Sequence, residues 1–308
     1  MPELPDLTLY LEALERVAVG RRLERVRLAD PFVLRTAEPP LSDVDGRLLL
    51  QVRRSGKRII FELEDDLFLL VHLMIAGRFR WRPGRARIPA KVGLAAFDFP
   101  EGTLLLTEAS SKRRAALHIV RGAAGLAAFD SGGIDPLQAD LATFRGVLTR
   151  ESHTLKRALT DPRLISGIGN AYSDEILQRA RLSPVKLTGQ IDDEEFSALY
   201  AATKEVLTEW IERLRLETGD RFPETVTAFR EGMAVHGRYN LPCPVCGAAV
   251  QRIIYAENET NYCATCQTGG RLLADRSLSR LLRADWPKTL DEMEQRRQGN
   301  AVPRSRRR

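Results

Sequence analysis

RIIFELEDDLFLLVHLMIAGRFRW, residues 58–81, decides the fold of the amino-terminal part of the chain. Apolar residues fill it in short runs, Ile59 to Leu63 and Leu67 to Met74, broken by Glu64-Asp65-Asp66 and by Ala76-Gly77. Runs of that length between acidic and glycine breaks are strands rather than helices. The same texture extends outward through RLERVRLAD (22–30), RLLLQVRR (47–54), AAFDF (95–99), TLLLTEA (103–109) and AALHIV (115–120). The pattern predicts an antiparallel sandwich or barrel of about eight strands. Ahead of it, Leu7, Leu11, Leu14 and Val17 repeat at near-helical spacing, and Gly20 supplies a stop, so a helix opens the chain.

Past Gly132-Gly133 and Pro136 the period changes to helical. Helices are expected over 141–148, 154–159, 171–180, 196–214 and 225–229, with the linker at 129–136. A short helix is expected over 271–285, followed by a disordered end, 300–308. The fold class is thus α+β and multidomain: a β-sandwich with a flanking helix at 1–130, a helical domain at 136–232, a cysteine-bearing ribbon at 237–267 and a basic extension at 268–308.

The whole chain has 308 residues, 44% hydrophobic and 29% charged, enough for two domains and an appendage. MPELPD is acidic where a signal peptide is basic, and no apolar stretch is long enough to span a bilayer, so a cytoplasmic protein is expected. Residues 237–308 carry 13 Arg or Lys against 7 Asp or Glu, which accounts for the formal charge of +6. A basic end beside a neutral body suits a polyanion, nucleic acid or membrane phosphate.

All four cysteines lie in CPVC (Cys243, Cys246) and CATC (Cys263, Cys266). This is the spacing of a tetrathiolate zinc ribbon, with two disulfides as the alternative. Four protein ligands leave no open coordination position, so one such zinc per chain is structural and catalysis lies elsewhere. A ribbon this small is folded by its metal and presents its hairpin to a partner.

Met1 precedes a small residue, and its removal would leave Pro2 as a free secondary amine. A terminal amine titrates at about 7.7–8.0, so part of it is unprotonated and nucleophilic at neutral pH. Only seven of the 47 basic residues are Lys, and an ammonium can shed a proton where a guanidinium cannot.

The opening Pro2-Glu3-Leu4-Pro5-Asp6, the block Arg53-Arg54-Ser55-Gly56-Lys57, the segment Leu164-Ile165-Ser166-Gly167-Ile168-Gly169-Asn170-Ala171-Tyr172 and the cysteine ribbon occur here in one order. Together they resemble the formamidopyrimidine-DNA glycosylase and endonuclease VIII family of base-excision repair enzymes. The resemblance implies a helix-two-turn-helix middle domain and a bifunctional glycosylase and abasic-site lyase for oxidised or ring-opened bases in duplex DNA, acting as a monomer. It implies Pro2 as the nucleophile, Glu3 as the proton-handling carboxylate and Lys57 as the elimination lysine. It places Met74, Ile75, Arg113, Arg114, Lys156, Gly169 and Asn170 at the DNA. Glycines ahead of a helix suit phosphate, because free amides face the anion.

Three positions depart from the family pattern. Ile75 stands where the usual wedge is Met, Ala115 where a Phe wedge is usual, and Asn258 where the finger carries Arg. Either Arg252 or Arg271 substitutes for that last residue or the grip on DNA is altered, since the flanking Glu257 and Glu259 would repel phosphate. The departures leave two alternatives: a damage-binding relative that does not cut, or a glycosylase for bulky or crosslinked lesions. The histidines (72, 118, 153 and 236) share no metal spacing and are expected to be structural or phosphate-facing.

Overall fold

In the computed structural model, which describes residues 1–255, 258–273 and 287–299, the chain divides into two units. The first gathers residues 1–147, 161–169 and 207–228, and the second gathers 148–160, 170–206 and the described residues from Phe229 on.

In the first unit helix α1 (Leu4–Val17) precedes nine strands: β1 (Arg22–Leu23), β2 (Arg25–Leu28), β3 (Arg47–Ser55), β4 (Arg58–Leu63), β5 (Leu67–His72), β6 (Gly77–Pro83), β7 (Gly93–Phe99), β8 (Gly102–Glu108) and β9 (Ala116–Arg121). They form antiparallel sheets of order β1-β3-β4-β5-β9 and β2-β7-β8-β6. Ile59, Phe61 and Leu63 alternate into the core between the sheets, where Phe61 stacks on Phe97 and both meet Phe79 edge-on. Tyr10 of α1 joins them, its hydroxyl accepting the Phe79 N–H at 3.2 Å.

Ile60, Phe68, Leu70 and Val120 point the other way and are buried as well, under Leu126 and Phe129. Their cover includes a helix not expected from the sequence, α2 (Gly122–Ala127). Apolar side chains on both faces are why 58–72 reads as nearly unbroken hydrophobic runs rather than as strict alternation.

The linker expected at 129–136 is partly ordered by pairing, since Ile134 forms a bridge with Ile165. Residues 225–229, expected as a helix, are irregular. Val226 is instead buried in the sandwich core, its carbonyl accepting from Arg78 Nε at 2.6 Å, and Glu224 pairs with Arg82. Those contacts draw the segment along the sheet and prevent it from coiling.

The remaining helices fall near their expected places: α3 (Leu141–Leu148), α4 (Leu155–Thr160), α5 (Asn170–Arg179) and α6 (Asp193–Thr218). In the second unit a hairpin of β10 (Gln251–Tyr255) and β11 (Asn258–Tyr262) is followed by α7 (Ala264–Thr268) and, later, α8 (Leu290–Gly299). Most of the helix expected at 271–285 and the end 300–308 lie outside the described residues. Within them, Leu272 and Leu273 are buried against Ile253 and Tyr262 in non-helical backbone, and α8 is a helix the sequence reading lacked. No described helix is long and apolar enough to cross a membrane.

Candidate active site

The start of α1 is unusually well fixed for a chain end. Pro2 and Glu3 are buried, and Glu3 caps the helix, its N–H donating to the Asp6 carboxylate at 3.0 Å. The Leu4 N–H donates to the Gly167 carbonyl at 2.9 Å, and the Gly169 N–H donates to Glu3 Oε2 at 2.6 Å. A carboxylate only 3% exposed therefore meets an aimed backbone donor, as a buried charge requires.

Lys57 arrives from the opposite direction. Ser55 pairs with Arg58 across β3 and β4, leaving Gly56-Lys57 as a two-residue hairpin turn with Gly56 at φ +60°. At Gly169 an added Cβ would lie 2.5 Å from Glu3 Cδ and 2.6 Å from Lys57 Nζ. The carboxylate and the ammonium thus converge on one missing side chain.

Arg54, on the same strand end, braces this loop. Its guanidinium donates to Ser166 Oγ at 3.0 Å and to Asp135 at 2.5 Å, while the Ser166 N–H donates to the Ile134 carbonyl at 2.8 Å. Burial lowers the Arg54 pKa and Asp135 opposes that shift. Burial also lowers the pKa of the terminal amine; Glu3 and Asp6 raise it, while Arg78 and Lys57 lower it further. The Met1 amine is thus biased toward the unprotonated form.

The apolar plug expected from Met74 and Ile75 sits on the turn between β5 and β6, with Met74 at φ +53° and Ile75 51% exposed. Arg113 binds Asp30 and the Lys91 carbonyl, and Glu108 accepts the N–H groups of Arg114 and Ala115. Ala115 is only 2% exposed, so its methyl lies in the core rather than at the surface.

His72 faces Arg58 across the sheet. Burial, then Arg58, Lys57 and His118, push its pKa from 6.5 down to about 4. A neutral native imidazole leaves stability untouched above the unfolded pKa near 6.5 and removes it progressively as pH falls toward 4, because only the unfolded chain takes the proton. Urea unfolding of wild type and His72→Gln across that window should show a wild-type decline on the order of 2 kcal/mol that the variant lacks. Parallel curves would rule out the neutral imidazole.

The second unit collects the other expected contacts around α5. Lys156 Nζ donates to the Asn170 carbonyl at 2.7 Å and pairs with Asp174, leaving its side chain 13% exposed. Asn170 Nδ2 donates to the Glu259 carbonyl at 2.7 Å, joining the helix start to the hairpin. Arg252 lies over the Tyr239 ring at 4.2 Å and 3.4 Å from Glu259, while Arg271 is exposed beyond α7. Backbone pairing puts Asn258 opposite Tyr255 at the hairpin end, and Glu257 is outside the described residues.

Sequence reasoning quoted Arg54 and Ser166 in its motifs without giving them a role, and it missed Asp135 and the buried pair Asp174-Glu175. Adjacent acids inside an apolar helical period were the available signal for that pair, since such acids are rarely buried without partners.

The sulfurs of Cys243, Cys246, Cys263 and Cys266 all lie within 4.8 Å of one another, with Cys243–Cys266 at 4.0 Å and Cys246–Cys263 at 3.4 Å. Tetrahedral zinc with bonds of about 2.3 Å separates its sulfurs by about 3.8 Å, so the donor set fits the ion. The four cysteines are not disulfide-bonded.

Residues 1–115 match the formamidopyrimidine-DNA glycosylase N-terminal domain, 133–220 its H2TH domain, and 240–269 the zinc finger found in FPG and IleRS. An N-terminal β domain, a helix-two-turn-helix and a four-cysteine finger, in that order, define a class of DNA-repair, DNA-binding proteins. Formamidopyrimidine-DNA glycosylase of Thermus thermophilus is 35% identical over 280 residues, covering 88% of this chain and 100% of the relative. The chain belongs to the formamidopyrimidine-DNA glycosylase family.

An uncharacterized formamidopyrimidine-DNA glycosylase-like protein of Mycobacterium tuberculosis is 40% identical over 151 residues, 49% of this chain and 94% of that protein. Among solved structures, Lactococcus lactis Fpg bound to abasic-site DNA superposes with a TM-score of 0.76 at 26% identity, covering 86% of this chain and 99% of that one. MutM with DNA containing carbocyclic 8-oxo-G gives 0.77 at 26% identity, covering 87% and 100%.

Proposed function

We propose that the chain is a bifunctional DNA glycosylase and abasic-site lyase that removes oxidised or ring-opened bases from duplex DNA. The observation that carries this reading is the convergence of Glu3 and Lys57 on Gly169 beside a buried amino end.

With Met1 removed, the Pro2 nitrogen lone pair attacks C1′ of the damaged nucleotide. The base departs with the electrons of the C1′–N bond and takes up a proton. Glu3 stabilises the positive charge that develops on the sugar and handles the ring-oxygen proton. The proline nitrogen then loses its proton, and its lone pair expels O4′, which takes a proton from Glu3 as the C1′–O4′ bond breaks and the sugar opens; the resulting C1′=N(Pro2) iminium acidifies the C2′ proton. Lys57, as the neutral amine, accepts that proton as the electrons shift, the C3′–O bond breaks and the 3′ phosphate leaves. To reach C1′ the enzyme must draw the nucleotide out of the stack, and the exposed Ile75 is available to fill the gap. The four cysteines would hold one zinc, whose part is to fold the hairpin.

Borohydride trapping on a duplex with one abasic site tests the reading. A covalent adduct is expected with the processed chain and none when the amino terminus is blocked. Lys57→Ala is expected to keep the adduct and slow strand cleavage by about 10²- to 10⁴-fold. No adduct from protein shown by mass to lack Met1 and to hold zinc would turn the assignment to a binder that does not cut.

A further inference from the structure

Phe229 is 67% exposed. Exposure by itself says little, and Phe32 and Leu216 are more exposed still. What distinguishes Phe229 is how firmly it is backed. Its ring stacks on His236, with centroids 5.6 Å apart and planes 15° from parallel, and His236 is only 5% exposed. His236 Nδ1 lies 2.8 Å from Asp174 Oδ2. Asp174 also accepts from Lys156 Nζ and from the Asn261 N–H at 3.1 Å, so its carboxylate cannot drift.

One residue along α5, Glu175 accepts the N–H groups of Ala234, Val235 and His236 at 2.7, 2.9 and 2.9 Å, fixing the backbone that carries the imidazole. Gly237, at φ +69°, completes the seat: a Cβ there would lie 2.6 Å from Phe229 Cδ1. Two buried carboxylates, an imidazole and a required glycine thus support one well-exposed aromatic ring.

Resting on the DNA reading above, we propose that Phe229, backed by His236, is a stacking platform for an unstacked nucleobase of the bound DNA. A flat ring held against a fixed support loses little freedom when a base settles on it, and every base offers a π-face. Recognition of this kind tolerates sequence and suits a protein whose substrates occur in any context.

The test uses the zinc-loaded full chain and duplexes carrying a stable abasic-site analogue, with 2-aminopurine placed in turn opposite the analogue and on either side of it. Binding should quench 2-aminopurine at one or more of these positions. Phe229→Ala and Phe229→Leu should lose that quenching and weaken affinity about 10-fold or more, while Phe229→Trp retains both. Zinc content and melting temperature, unchanged in Phe229→Leu, separate stacking from folding. Wild-type binding with the same quenching and affinity in Phe229→Ala and Phe229→Leu overturns the platform alone. Failure of the wild-type chain to bind the duplex overturns the DNA reading and the platform with it.

Discussion

Gly169→Ala is expected to lower both base excision and adduct formation by about 100-fold while leaving the fold standing. The added methyl would lie 2.5 Å from Glu3 Cδ and 2.6 Å from Lys57 Nζ, well inside contact distance. Both neighbours are ends of side chains that can swing, so the cost falls on position rather than on packing. Glu3 then loses the Gly169 N–H, now 2.6 Å from Oε2, and Lys57 leaves its place at the site. Misplacing reacting groups by about 1 Å costs about 10² in rate. Single-turnover kinetics and thermal melting measured on one preparation check this. Unchanged rates would show that Glu3 and Lys57 do not act from the positions described.

Removal of the metal is expected to have the largest structural effect. Holding the chain with a strong chelator should release one zinc and abolish measurable duplex affinity, because zinc binding supplies on the order of 10 kcal/mol toward folding such a ribbon. Protease cuts should then appear between Gln251 and Tyr262, and Cys263→Ser should reproduce them without chelator. The first unit should keep its strand signal, since its core draws none of the described ribbon residues. Unchanged proteolysis and affinity after verified metal loss would contradict the structural role.

The sandwich was legible because its strands are short, with apolar runs separated by glycine and acidic breaks, and Ile59, Phe61 and Leu63 carry the alternation even where Ile60 is buried too. Helix α2 was not, because GAAGLA is too short and too small-sided to show a period. The segment 225–229 misled because its apolar residues are spaced as if for a helix, whereas Val226 serves the sandwich core.

The site was legible only in parts. The terminal proline, the paired arginines before Lys57 and the paired cysteines each carry a local pattern. Their assembly does not, because the Gly169 N–H that holds Glu3 is 166 residues away and the Ser166 hydroxyl that braces Arg54 is 112 away. For the same reason the pairing of Lys156 with a buried carboxylate in the next helix was not legible.

The first unit is assembled from three separated stretches of chain, and this has a consequence during translation. The end that carries Pro2 and Glu3 leaves the ribosome first, yet the backbone amide that secures Glu3 is made 166 residues later, and Val226 of the sandwich core later still. Because domains mature as units once their segments are present, a nascent or prematurely terminated chain bears Pro2 without an organised site around it. The surroundings of Pro2 are thereby complete only in chains that have been synthesised past residue 228.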